Sequence, residues 1–254
     1  MSDLISIIIP VYNAEQFLDD TLRCIFAQDY ENWELLLVDD CSKDGSIEKI
    51  ENIMQAYPQY RDRVRLIRQN TNSGAAAARN QGIYLARGRF IAFQDADDLW
   101  HPKKLSKMYA FMQEMNAAFA YHGYEFAQED GHGTGRIVHV LPLLDYDHAL
   151  TRTIVATITV VFDMSKLTKE EILFPQCPSE DTALWWRLLR SGYIAYGLDE
   201  SLALYRRSQN TLSSNKFVAV ERIWYLYRKR EELPILKAGV CLLGWAIRAT
   251  LRRI

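Results

Sequence analysis

Two clusters of carboxylates stand where chemistry could be done, Asp39-Asp40 and Asp95-Ala96-Asp97-Asp98. Two carboxylates two residues apart on a loop can hold a hard divalent cation, which in turn bridges and neutralises a diphosphate. Left unpaired, three acids in four residues repel one another. The same spacing also suits an N-cap cluster for a helix that begins near Pro102, with Asp98 as the capping residue. Asp39 and Asp40 have a comparable bland reading, a capped turn ahead of Ser42.

Both clusters follow short apolar runs, and the elements that carry them are legible. Ile5-Ser-Ile-Ile-Ile-Pro-Val11 reads as a buried strand, and Phe17, Leu18, Leu22, Ile25 and Phe26 recur at helical intervals. A second strand from Trp33 to Val38 leads through Ser42-Lys-Asp-Gly-Ser46 into a helix bearing Ile47, Ile50, Ile53 and Met54. A strand at Val64 to Ile67, a helix at Ala75 to Leu85 and a strand at Phe90 to Phe93 complete the pattern. Strand and helix alternating in this way predict a parallel sheet wrapped by helices. Such sheets bind ligands at the carboxyl ends of their strands. Those ends are Pro10-Val-Tyr12-Asn13, Asp39-Asp40 and Asp95-Ala-Asp-Asp98.

After Pro102 the pattern changes to α+β. A helix is expected from Leu105 to Met115, then a hairpin of Phe119 to Phe126 and Ile137 to Leu141 around Gly131-His-Gly-Thr-Gly135. A long central strand is expected over Ile154 to Phe162, a helix over Thr182 to Leu189, and a strand over Tyr193 to Tyr205.

Several functions are excluded. The first glycine is Gly45, so no Gly-x-Gly-x-x-Gly follows the first strand, and there is no Gly-Lys-Ser/Thr loop. Neither a dinucleotide dehydrogenase nor a P-loop enzyme fits, because both cradle phosphates on glycine backbone. A nucleotidyltransferase would also want a glycine-rich loop there. The four cysteines are far apart and read as free thiols, and the run before Pro10 is no signal peptide. Across 254 residues the net charge is -2, which argues against a nucleic-acid partner. That total conceals a division: residues 217–254 carry eight basic and three acidic side chains, net +5, and the rest 22 basic and 29 acidic, net -7.

Taken in order, Ile-Ile-Pro10-Val-Tyr-Asn13, Trp-Glu-Leu-Leu-Leu-Val-Asp39-Asp40-Cys-Ser-Lys-Asp-Gly-Ser46, Asn72-Ser-Gly-Ala-Ala-Ala-Ala-Arg79-Asn80 and Phe-Gln-Asp95-Ala-Asp-Asp98 resemble the family 2 glycosyltransferases. The resemblance covers about the first hundred residues and implies an α/β GT-A fold with a Rossmann-like, mostly parallel nucleotide-binding half (1–100). An α+β acceptor half (101–216) would complete the domain, followed by a helical tail (217–254). It implies an inverting enzyme that uses a UDP-sugar. By similarity Pro10 and Tyr12 form the platform for the base, Asp40 accepts the uracil N3–H, and Asn72 and Arg79 contact the nucleotide. Asp95 lies near the ribose and Asp97 is the direct ligand of Mn²⁺ or Mg²⁺.

An inverting transfer also needs a group that takes the proton of the acceptor hydroxyl as it attacks. Ser179-Glu180-Asp181-Thr182 matches the family's acidic element at a helix start and makes Asp181 the expected base. An acid there also complements the helix dipole, by about 0.3–1 kcal/mol. Both roles are compatible, with Glu180 capping or orienting the site. Trp185 and Trp186 point to different faces of that helix, one toward the core and the other available to stack on an acceptor sugar. One departure stands out: relatives carry Tyr-Arg-x-His where this chain has Tyr205-Arg-Arg-Ser208, which puts a third protein metal ligand in doubt and makes Arg206 or Arg207 candidates for the diphosphate. Gln-x-x-Arg-Trp, the mark of processive synthases, is absent, so single-sugar addition is expected.

Ile235 to Leu251 is apolar but shorter than the roughly 20 residues of a membrane span and carries Lys237 and Arg248. An interfacial helix on an anionic bilayer is the expected role of the tail, against a helix pair that packs on the catalytic domain or on a second subunit. The resemblance then implies a cytoplasmic enzyme on the inner face of a bacterial membrane, acting on a glycan or polyprenyl-linked acceptor in surface-polysaccharide or lipopolysaccharide assembly. A catalytically silent, sugar-nucleotide-binding relative is the alternative.

Overall fold

The computed structural model describes residues 2–152, 154–207 and 216–251. Strand β1 (Ile5–Val11) lies between β2 (Trp33–Asp39) and β4 (Phe90–Phe93), parallel to both, and β2 carries β3 (Val64–Arg68) on its outer side, also parallel. The crossovers are α1 (Leu18–Phe26), α2 (Ser46–Ala56) and α3 (Ala75–Leu85). Because the chain runs from β1 to β2 on one side and returns to β4 on the other, the strand order reverses at β1. The crevice at the carboxyl ends of β1 and β4 is therefore the natural ligand site.

Beyond β4 the sheet continues through β9 (Val161–Asp163), β6 (Phe119–Ala127) and β10 (Ala195–Arg206) to β5 (Leu99–Trp100). Strand β9 is antiparallel to both neighbours, β6 and β10 are parallel, and β5 is antiparallel to β10. Strand β7 (Gly133–Val138) pairs with β6 and β8 (Leu143–Leu144) with β10, both antiparallel. Helices α4 (Lys104–Glu114), α5 (Tyr146–Ala149) and α6 (Glu180–Arg190) belong to this half. Helices α7 (Lys216–Tyr225) and α8 (Ile235–Leu251) follow, joined through a π-helical turn at Leu226–Arg230.

The two faces of β1 are both buried, as expected of a central parallel strand, and its period of two divides the core. Ile5, Ile7, Ile9 and Val11 pack with Leu35, Leu37 and α1, whereas Ile8 packs with Leu36, Ile83 and the aromatic group Phe93, Phe119, Phe162 and Phe174. Helix α3 sits close to the sheet because Gly82 has no side chain: a Cβ there would come within 2.4 Å of Ile8 Cγ2.

Three expectations need correction. The long strand over Ile154 to Phe162 is shortened to β9, because Thr157–Thr159 form a 3-10 turn. That turn presents the Ile158 carbonyl to the buried Lys104 Nζ and to Trp100 Nε1, and buried N–H donors require such acceptors. In the hairpin, β7 takes in the glycine-rich segment itself, since Glu125 accepts the Gly135 N–H at 2.6 Å and reaches into space that a Cβ on Gly133 would occupy. Asp98 caps no helix: β5 intervenes and α4 starts at Lys104, while the Asp98 carboxylate accepts the backbone N–H of Arg206 at 2.7 Å.

The tail packs on the body. Ile223, Leu226, Tyr227, Leu233, Ala238, Cys241 and Trp245 join the second core. Tyr227 stacks on Trp186 at 5.1 Å, and Glu231 accepts from Arg190 at 3.0 Å. Among the described residues no helix is long and apolar enough to cross a membrane.

Replacing Gly82 with Ala sets about 1 kcal/mol of helix propensity against a steric conflict with an Ile8 that has nowhere to move. Overpacking of about 1–3 kcal/mol less that gain leaves an expected net loss of up to about 2 kcal/mol for Gly82→Ala in chemical denaturation.

Candidate active site

The carboxyl end of β1 turns sharply at Asn13, which is left-handed at φ 49°. Its N–H donates to Ser42 Oγ at 3.0 Å and its Oδ1 accepts the Lys43 N–H at 2.8 Å, so the loops after β1 and β2 are stapled together. Tyr12 is left 51% exposed above this junction, with Pro10 partly buried below it. A ring held at the mouth by a fixed backbone is a suitable stacking surface.

Asp40 is buried, and its two oxygens accept the N–H groups of Ser73 and Gly74, each at 2.7 Å. This carboxylate holds the loop that carries the exposed Asn72, at the one point where Gly74 takes φ 86° to start α3. Asp39 bonds the Ser42 N–H, in keeping with a capped turn.

From α3, the buried Arg79 reaches across the crevice. Its Nη2 donates to Asp95 Oδ1 at 2.7 Å and its Nη1 to Glu180 Oε1 at 3.3 Å, while the guanidinium lies 5.2 Å from the centre of the Phe174 ring. Phe174 is held in turn by Asn80: its N–H donates to Asn80 Oδ1 at 2.7 Å and its carbonyl accepts from Asn80 Nδ2 at 2.8 Å. Asn80 has no role in the sequence reading. Its place beside Arg79 was the available signal, but the partner lies ninety-four residues away in sequence.

Asp95, Asp97 and Asp98 form a tight acidic group. Burial, then the charge of Asp95, raises the pKa of Asp97. Burial, then Asp97 and Asp95, raises that of Asp98 much further. Arg206 braces the group: its Nη1 donates to the Asp97 carbonyl at 3.1 Å and its Nη2 to Asp20 at 2.7 Å. At 4% exposure and with these partners, Arg206 is a structural counter-charge, which corrects its candidacy for the diphosphate. Arg207 lies over the Phe126 ring at 3.6 Å. Ser208 falls outside the described residues.

Among the described residues there is no group of three His, Cys, Asp or Glu side chains that could hold a metal. Asp95 and Asp97 nonetheless fit Mg²⁺ or Mn²⁺, because such ions are commonly held by one or two carboxylates together with substrate phosphates and water. Burial and the charge of Asp95 raise the pKa of Asp97, and a bound cation would favour its ionised form.

Across the crevice, Ser179 adopts a left-handed φ of 53° and turns the chain into α6, with Glu180 and Asp181 at its first positions. Burial, and then the charge of Glu180, pushes the Asp181 carboxyl up to about 6, against the opposing pull of the Thr182 N–H and Arg79. A carboxylate so tuned is suited to accept a proton near neutral pH.

Trp185 and Trp186 depart from expectation, since both are buried. Trp185 sits among Phe119, Phe162 and Phe174, and Trp186 between the Tyr227 ring and the Ala149 carbonyl, which accepts its Nε1–H at 3.2 Å. Helix α6 is covered by the sheet on one side and by the tail on the other, so neither ring has a face for an acceptor. A cleft of about 670 Å³ lined by Asp20, Trp100, Glu125 and His132 adjoins the site at the Asp20–Arg206 pair, but carries none of Tyr12, Asp95, Asp97 or Asp181.

A parallel half-sheet with a switch point and an Asp-x-Asp pair after β4, linked through Arg79 to the acidic start of α6, fit the class that the family match defines, a GT-A glycosyltransferase. The chain belongs to glycosyl transferase family 2, whose family model matches residues 6–173. It is 38% identical over 252 residues to a Bacillus subtilis protein provisionally named a teichuronic acid biosynthesis glycosyltransferase, TuaG, covering 99% of this chain and 98% of that protein. It is 34% identical over 235 residues to the Escherichia coli UDP-Glc:alpha-D-GlcNAc-diphosphoundecaprenol beta-1,3-glucosyltransferase WfgD, covering 92% of this chain and 89% of that one. Among solved structures, the S. aureus TarS fragment 1–349 in complex with UDP-GlcNAc superposes with a TM-score of 0.70 at 20% identity, over 95% of this chain and 71% of that one. A mannosyltransferase from Pyrobaculum calidifontis in complex with GDP-Man and Mn²⁺ gives 0.71 at 17% identity, over 98% and 74%. At these identities the structures speak to the fold.

Asn80→Leu removes both bonds to Phe174 and leaves its backbone groups unpaired, at a cost of about 1–3 kcal/mol. The expected outcome is a transfer rate more than about tenfold lower, with UDP affinity within a few-fold of wild type, because the substitution leaves the loops of Tyr12 and Asp40, where the base is expected, untouched. Paired kinetics and calorimetry check this.

Proposed function

We propose that this chain is a metal-assisted, inverting, non-processive transferase that moves one sugar from a UDP-sugar to a hydroxyl of a glycan or polyprenyl-linked glycan acceptor. The observation that carries the reading is Arg79, which ties Asp95 on the donor side to Glu180 beside Asp181 on the acceptor side. The relatives suggest the substrate class: one is named for UDP-Glc and a diphosphoundecaprenol-linked acceptor, and another for teichuronic acid, so surface-polysaccharide assembly is the setting we assign.

In this reading Tyr12 and Pro10 receive the base, with Asp40 as the uracil N3–H acceptor, and Asn72 lies against the nucleotide. Asp95 faces the ribose, and Arg79 holds its carboxylate in place. Asp97, with Asp95 beside it, would hold Mn²⁺ or Mg²⁺, which would supply positive charge to neutralise the leaving diphosphate. The acceptor oxygen bonds to the anomeric carbon from the face opposite UDP, the carbon–oxygen bond to UDP breaks, and the hydroxyl proton passes to Asp181. Direct displacement of this kind inverts the configuration. Such acceptors lie at the inner face of the bacterial membrane, where the basic tail 217–254 would hold a cytoplasmic enzyme.

Asp181 acts as a base only when ionised, so protonation below pH 6 removes activity and ionisation above it restores it. The logarithm of kcat/KM is expected to rise with pH at unit slope and level off above about pH 6. Asp181→Asn should lower kcat by about 10²–10⁴ and abolish that dependence while leaving UDP affinity within a few-fold; a variant that still turns over at the wild-type rate removes Asp181 as the base.

For the metal, titration calorimetry of UDP with and without Mn²⁺ is the direct measurement. Wild-type affinity is expected to fall on chelation, and Asp97→Ala to match the chelated wild type. Equal UDP affinity of the wild type with and without metal would argue against the two-carboxylate site.

A further inference from the structure

Helix α8 is apolar on two opposite faces, and the protein covers one of them. Ala238, Cys241 and Trp245 are buried against the body. Leu236, Val240, Leu243 and Ile247 are 82%, 72%, 64% and 53% exposed. Their spacing of four, three and four residues places them in a single stripe on the side away from the core. A helix that is apolar all round belongs in a core or in lipid. At 17 residues and 1.5 Å per residue, α8 is about 26 Å long, short of a span, and Lys237 enters at its third position.

We infer that this stripe is a docking face for an anionic lipid surface, on which α8 lies flat with Leu236, Val240, Leu243 and Ile247 in the acyl boundary. The charges agree with that occupant. Lys237 and Arg248 fall on one flank of the stripe, and the exposed Lys229 and Arg230 stand just before the helix. No Asp or Glu occurs from Ile235 to Leu251. Asp147, 3.6 Å from Lys237, offsets part of one charge. A second copy is the less favourable occupant: a two-fold contact on the stripe would oppose the basic flanks of two copies with no acid on either helix to pair them. Burial of α8's inner face fixes how deep the protein sits, because the side that carries Trp245 cannot rotate outward without breaking the core.

This inference deepens the lipid-linked acceptor reading and rests on it for its purpose, but the two fail separately. The full chain is sedimented with vesicles of phosphatidylcholine, with and without phosphatidylglycerol. We expect wild type to pellet with the anionic vesicles. L236S/L243S should lose at least tenfold in partitioning, with an unchanged circular dichroism spectrum and unchanged transfer to a detergent-dispersed acceptor. K237Q/R248Q should weaken binding to anionic vesicles and reduce its salt dependence. Equal partitioning of wild type and L236S/L243S overturns the proposal. So does a dimer in analytical ultracentrifugation that L236S/L243S dissociates while vesicle binding is unaffected, an outcome that gives the stripe to a second copy. Loss of wild-type transfer with vesicle binding intact would instead strike the functional reading alone.

Discussion

The guanidinium of Arg79 is a full charge at 7% exposure, and the rest of the site is arranged by its need for partners. A buried cation persists only when paired and hydrogen-bonded. Its partners come from the two halves of the molecule, Asp95 after β4 and Glu180 at the start of α6, with the Phe174 ring beneath. One side chain thus sets the spacing between the donor side and the carboxylate proposed as base. It also supplies positive charge to the acidic crevice, where burial and then Glu180 raise the pKa of Asp181 and Arg79 restrains the shift.

Around it, the acidic loop is held by charge compensation from behind. Asp98 takes the backbone of Arg206, whose guanidinium joins the Asp97 carbonyl to Asp20 on α1. Deeper still, burial drives the pKa of Lys104 well below its ordinary value, and its Nζ donates to the Ile158 carbonyl with the Trp100 ring 3.2 Å from it. These groups help account for local structure such as the 3-10 turn at Thr157–Thr159, whose Ile158 carbonyl they engage. They leave Asp95 and Asp97 as the members of the cluster that face outward, each half-buried rather than enclosed.

The tail illustrates how one helix serves two environments. Its inner residues complete the core behind α6, with Trp186 and Tyr227 stacked 12° from parallel. On α8, Leu236, Val240, Leu243 and Ile247 are exposed on the other side. The division of the tail from the body that composition suggests is a division of charge, while the packing is continuous across it.

Much of the fold and site was legible in the residues themselves. The alternation of apolar strands with helical spacing reads directly as the parallel half, and residues that end strands must gather at one edge of a sheet, so Tyr12, Asp40, Asp95 and Asp97 could be placed together. That much is local, because strand period and turn chemistry act within a few residues. Partner choice is not local. That Asn80 clamps Phe174, that Arg206 is taken up by Asp20 and Asp98, and that both Trp185 and Trp186 are enclosed depend on contacts between segments far apart in the chain, such as Arg79 and Glu180 at a separation of 101 residues. A sequence specifies which groups must find partners; only the packed tertiary structure decides which partners they find, because burial and distance fix both the hydrogen bond and the pKa.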